Sequence, residues 1–217
     1  MARLVTAVLL TFLLLMATSP ARAASLVNGS FESPVLAANT FCVSTVAPFC
    51  PTITGWTGSV VFVLNGAPPQ ITPPSPLPDG VQFSLVQADG FMEQAILFDV
   101  AGIYRLSWFD AGRAAFIGAD GNETYDVLFA GNVLGSFATV TGSAWAPHSV
   151  FLSAGAGTFT VRIAGTKPFS QGSDSALFDH FVLQPADVPE PTTLAMDSAA
   201  LAIFASWRRF ARRRSGP

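Results

Sequence analysis

The sequence is short of the side chains that carry most enzyme chemistry. Of its 217 residues only 12% are charged, two are cysteine and two are histidine. His148 and His180 stand in no spacing that suggests a metal pair or a catalytic triad. No Gly-x-Ser-x-Gly elbow, phosphate-cradling glycine loop or His-Glu-x-x-His pair occurs, which removes the standard signals of covalent and metal hydrolases. A glycosidase needs only two carboxylates, and Glu93, Asp110, Glu123 and Asp126 are the acids that would have to supply them. No pattern singles out a pair of these, so no catalytic residue is assigned. Basic residues are scarce as well: between residues 24 and 187, Arg105, Arg113, Arg162 and Lys167 face twelve acids, a net charge of −8. A body this acidic repels a phosphate backbone, which argues against nucleic acid as a partner.

What the sequence does have is concentrated apolar character, half of all residues, and much of it lies at the two ends. Residues 1–23 carry Arg3, an apolar run from 4 to 16, and the small-residue stretch Ala21-Arg22-Ala23. That order predicts a secretory signal peptide cleaved after Ala23. The run is too short for a bilayer-spanning helix, which needs roughly 20 residues. Setting the ends aside leaves about 160 residues, suited to one domain with a sizeable core. Residues 24–187 are read as that domain. In an exported chain the even pair Cys42 and Cys50, eight residues apart, predicts one disulfide. Closing so short a loop is worth about 2–3 kcal/mol when unstrained.

Residues 188–217 form a tail of three parts: Val188-Pro189-Glu190-Pro191, an apolar stretch from 192 to 207, and the cluster Arg208, Arg209, Arg212, Arg213 and Arg214. Two prolines around Glu190 hold the segment extended, so that a processing enzyme can thread it. The arginines read as a stop that stays on the cytoplasmic side. The tail resembles the PEP-CTERM sorting signal. That resemblance implies recognition of Pro189, Glu190 and Pro191 by an exosortase-type processing enzyme, transient anchoring in the inner membrane by a short transmembrane helix, and final location at the cell surface or in the extracellular matrix. Asp197 departs from the pattern, since a carboxylate at mid-helix costs about 2.5–3.5 kcal/mol on insertion scales, and the apolar run is short for a core of about 30 Å. Weak or transient anchoring is expected.

The body offers short apolar or alternating runs bounded by Gly, Pro, Asn and Asp, and no long helical period. Strands are predicted at 26–31, 60–64, 81–86, 92–100, 104–109, 124–129, 133–140, 148–152, 158–163 and 176–183. Such spacing predicts an all-β sandwich or jelly roll. In GTFTVRIAG, Phe159, Val161 and Ile163 should face the core while Thr160 and Arg162 face water. Ala130-Gly131-Asn132 marks a hairpin. The proline-rich residues 65–79 must lie at the surface as an extended excursion, and residues 111–123 form a second long loop.

VNGSFESP, Gly55-Trp56, PDGVQFSLVQ, GFMEQAI, DVAGIYRLSWFDAG and SALFDHFVL, in this order from residue 26 to 183, resemble the galactose-binding-like β-sandwich superfamily, which includes many carbohydrate-binding modules. The resemblance implies a jelly-roll sandwich that binds carbohydrate, such as an exopolysaccharide, without catalysis. The alternative is a structural or adhesive matrix protein with no sugar pocket. In several members a structural calcium joins the first and last strands, and the matching positions here are Glu32, Asp179 and the Gly29 carbonyl. Calcium wants six to eight oxygens, and His180 stands where the family usually has a second acid. Trp145, Trp56 and Gln94 are the expected sugar contacts, Trp145 by stacking from a turn-like stretch, whereas Trp108 in an alternating strand is expected to be buried.

Overall fold

The computed structural model describes residues 24–43, 51–59, 61–66, 71–114, 122–169 and 174–186. The chain divides into units 1–185 and 186–217, and only Ala186 of the second is among the described residues. The expected signal peptide, Cys50, the Pro-Glu-Pro motif and the arginine cluster lie outside them. Among the described residues no helix is long and apolar enough to cross a membrane.

Eleven strands are described: β1 (Thr40–Val43), β2 (Thr57–Gly58), β3 (Val61–Asn65), β4 (Gln82–Gln87), β5 (Phe91–Phe98), β6 (Gly102–Gly112), β7 (Thr124–Phe129), β8 (Asn132–Ala138), β9 (Ala146–Ala154), β10 (Gly157–Gly165) and β11 (Ser175–Pro185). They form two antiparallel sheets, one of six strands in the order β1-β3-β4-β11-β6-β9 and one of five in the order β2-β5-β10-β7-β8.

Period-two patterning builds the core between the sheets. From β5 come Met92, Ile96 and Phe98, from β7 Tyr125 and Val127, from β10 Val161 and Ile163, and from the other sheet Leu106, Trp108, Phe178 and Phe181. The register confirms the wet-face reading of β10, since Val161 and Ile163 are buried while Thr160 and Arg162 are part-exposed. The hairpin also falls where expected. Phe129 pairs with Asn132, and Ala130 and Gly131 both take positive φ, the two-residue turn whose twist matches the flanking strands.

One predicted strand is absent. Residues 26–31 run as bend and turn instead of strand, because Asn28 and Phe31 adopt positive φ, incompatible with a continuing strand. Side chains do the work a ladder would have done. The Gln94 amide on β5 accepts from Val27 N–H at 2.7 Å and donates to the Val27 carbonyl, while the Gln82 amide on β4 donates to the carbonyls of Phe31 and Pro34 and accepts from Leu36 N–H. The segment is thereby tied to both sheets. Gly29 allows it to sit against β11: a Cβ there would lie 2.0 Å from the Phe181 carbonyl oxygen. β1 and β2 were not expected; four and two residues are too few to show a period.

The proline-rich excursion lies at the surface as predicted, but its described part is packed rather than free. Ile71 and Leu77 cover Phe83 and Leu85 of β4, Ala111 of β6 and Leu177 of β11, with Trp145 sealing the edge. This second core explains why β4 is buried along nearly its whole length, on both faces.

Candidate functional site

Among the described residues nothing covers the middle of the outer face of the five-stranded sheet, which forms a trough. Register places Glu93 of β5 beside Arg162 of β10, and Arg162 beside Leu128 of β7. With Thr158, Thr160, Ala130 and Gly131 they line a cleft of about 500 Å³. Its floor follows β10, where Thr158 to Arg162 spans about 13 Å at the usual strand rise. At one end the Arg162 Nε donates to Glu93 Oε2 at 2.6 Å, and Nη2 forms an ion pair with the same oxygen at 2.6 Å. The guanidinium carbon lies 4.2 Å from the centre of the Phe91 ring, a cation–π contact. Arg162 is therefore gripped on its edge and on one face, yet 42% of its side chain remains exposed. A fixed donor beside a fixed acceptor, followed by two threonine hydroxyls, suits a ligand rich in hydroxyl groups, each of which both donates and accepts.

Glu32, Gly29 and Asp179 are brought together, as the resemblance implies, at the junction of the N-terminal segment and β11. Asp79, which the sequence reading did not assign, joins them. Asp179 is fully buried, and burial, with Asp79 and Glu32 adding like charge, pushes its carboxyl up to about 7. Its oxygens already have donors: Oδ2 accepts from Asp79 N–H at 3.0 Å and Oδ1 from His180 N–H at 2.6 Å. Glu32 Oε1 accepts from the N–H groups of Val81 and Gln82, and the Gly29 carbonyl accepts from Phe181 N–H. Asp79 accepts from Ser30 Oγ at 2.6 Å, which with nearby His180 holds its carboxyl below the usual value. Among the described residues no three His, Cys, Asp or Glu side chains gather as a metal would require. The residues as placed do not present a calcium cage, and main-chain amides do the stapling.

Two buried polar groups lie away from the trough. Asp110 accepts from Tyr125 Oη at 2.6 Å and is 2.9 Å from His148 Nε2, while Trp108 Nε1 donates to the Tyr125 oxygen. Burial raises the Asp110 carboxyl, and burial beside Asp110 pushes the Tyr125 phenol far up. At the loop end, Lys167 pairs with Asp174 and donates to the Asn122 carbonyl at 2.7 Å. Next to them Glu123 is fully buried, and desolvation lifts its carboxyl to about 7. Asp110 and Glu123, two of the four acids weighed for hydrolysis, are thus withdrawn from solvent.

The structure removes two of the expected sugar contacts. Trp56 is 2% exposed and packs against Phe31 and Phe181, with its Nε1 donating to the Asn28 carbonyl. Gln94 is 3% exposed and spent on the Val27 backbone. Trp145 is half-buried: its Nε1 donates to the Pro74 carbonyl at 2.8 Å and its ring meets Phe83 edge-on, so it clamps the proline-rich segment. Trp108 is buried, as expected. The trough residues were missed as a set, although the alternation in GTFTVRIAG had already put Thr160 and Arg162 on the wet face.

No protein-family model matches the chain, and no curated protein matches it. Solved structures do show similarity. A family 35 carbohydrate-binding module from Clostridium thermocellum is 16% identical, covering 60% of this chain and 92% of its own, with a TM-score of 0.43. TmCBM61, solved in complex with β-1,4-galactotriose, is 16% identical over 75% of this chain and 99% of its own, with a TM-score of 0.46. The CBM22-1 xylan-binding domain of Paenibacillus barcinonensis Xyn10C is 12% identical over 70% of this chain and 96% of its own, with a TM-score of 0.44.

Proposed function

We propose that this chain is exported by its signal peptide, sorted by its tail, and binds carbohydrate on the open face of its five-stranded sheet as a non-catalytic, galactose-binding-like module. The observation that carries the binding role is the trough itself: an exposed cleft of about 500 Å³ whose polar groups are held in place by the Glu93–Arg162 pair before any ligand arrives. Preorganisation of this kind lowers the cost of ordering side chains on binding. A shallow, strand-long site open to solvent suits a segment of polysaccharide better than an enclosed small molecule.

Retention of the purified full chain on insoluble polysaccharides, in a detergent without a sugar headgroup, tests the reading. A Thr160→Trp variant fills the trough, and retention should fall at least tenfold with the melting temperature unchanged. No retention of the wild-type chain on any glycan would favour the structural or adhesive alternative. Sorting rests on the tail sequence: an exosortase-type enzyme acts near Pro189-Glu190-Pro191 while the apolar stretch and arginines hold the chain in the inner membrane, and release follows to the surface or matrix.

A further inference from the structure

We infer that the trough selects uncharged glycan over uronic-acid or sulfated glycan, and that Glu93 is the residue that sets this selectivity; the inference rests on the carbohydrate-binding reading above. An exposed arginine with a free edge is a ready anchor for carboxylate or sulfate, which it meets with paired N–H groups. Arg162 is the only base lining the trough among the described residues, and its Nε and Nη2 both lie 2.6 Å from one oxygen of Glu93. The Phe91 ring covers one face of the guanidinium. An anionic group must therefore pull Arg162 away from Glu93, leaving one carboxylate unpaired beside another, or dock next to a pair whose net charge is zero.

The described surroundings add no positive charge to attract it. Thr158, Thr160, Leu128 and Ala130 carry no charge. The next ionisable group along the same face is Asp126, one pairing step from Ala164 of β10 and held by Ser136 Oγ at 2.6 Å. Beyond the face, the body from 24 to 187 carries a net charge of −8. For a neutral polyol the same pair is an asset, because the outward edge of Arg162 donates, Glu93 accepts, and binding leaves the pair intact. Discrimination comes from the charge a wrong ligand would strand.

The test compares full-chain binding to a neutral β-glucan and to polygalacturonate, by affinity electrophoresis at low and physiological salt. Wild-type chain should bind the neutral polymer at least tenfold more tightly. Glu93→Gln frees Arg162 without removing it, and should raise polygalacturonate binding about tenfold, the gain shrinking as salt is added. Thr160→Lys adds a charge to the same trough without disturbing the pair, and should shift preference the same way even if Glu93→Gln folds poorly. Stronger wild-type binding to polygalacturonate, or no shift in either variant, would overturn the selectivity while leaving the carbohydrate reading in place. Binding to neither polymer, nor to any other glycan, would overturn both.

Discussion

Gln82 and Gln94 show how a single side chain can take on a role that its type does not announce. Each sits at an inward position of a strand, where a hydrophobic residue is the default, and each is almost wholly buried. Their amides satisfy backbone groups of a segment that makes no ladder, and a buried amide with all its partners is tolerated where an unpaired one costs about 1–3 kcal/mol. Glu123 is the opposite case. Its carboxyl is buried, Oε2 has no hydrogen-bond partner among the described residues, and its proton is held up to about 7 against an ordinary 4.5. The folded state binds that proton more tightly than the unfolded state. The associated stability is therefore complete below about pH 4.5 and is lost as pH rises through 7. The melting temperature should fall between pH 5 and pH 8, and Glu123→Gln should shrink that slope. Asp179 moves in the same direction, so part of the slope should survive in the variant. An unchanged slope would mean that Glu123 ionises freely.

At the scale of elements, the junction of the N-terminal segment with β11 decides between two ways of closing a sandwich. A metal would bind the carboxylates directly, whereas here the amides of Asp79, His180, Val81 and Gln82 point at Asp179 and Glu32. Thermal unfolding with calcium and with chelator separates the two. The hydrogen-bonded arrangement predicts the same melting temperature in both, within about 2 °C. A larger fall on chelation, abolished in Asp179→Asn, would restore the metal and require these carboxylates to turn. The proline-rich segment teaches a related point. Its prolines cannot join a ladder, yet Ile71, Leu77 and the clamp from Trp145 make it the outer lid of the six-stranded sheet.

At the scale of the whole molecule, the two sheets divide the work. Among the described residues one is covered on both faces around β4, and the other presents the cleft along β10. The acidic body and the arginine-rich end have opposite charge, the asymmetry on which the proposed sorting rests. Replacing Pro189 and Pro191 by alanine should block processing and leave the chain in the inner-membrane fraction, read by fractionation and immunoblot. Unchanged size and location in that variant would remove the sorting role.

Nine of the ten predicted strands were legible in the sequence because inside and outside alternate with a period of two, a signal each residue carries locally. Phe159, Val161, Ile163 and the Ala130-Gly131 turn are its clearest instances. The signal and tail readings depend only on order along the chain, and both fall outside the described residues. Only the tertiary structure decided the rest. Whether Trp56 and Trp145 face sugar or core depends on what packs over them, Phe31 and Phe181 in one case and the proline-rich segment in the other. The meeting of Glu93 with Arg162, and of Asp79 with Asp179 a hundred residues later, is set by strand register and loop closure. Charge and hydrogen bonding act over a few ångströms in space, and separation along a chain says little about that distance until the sheets have paired.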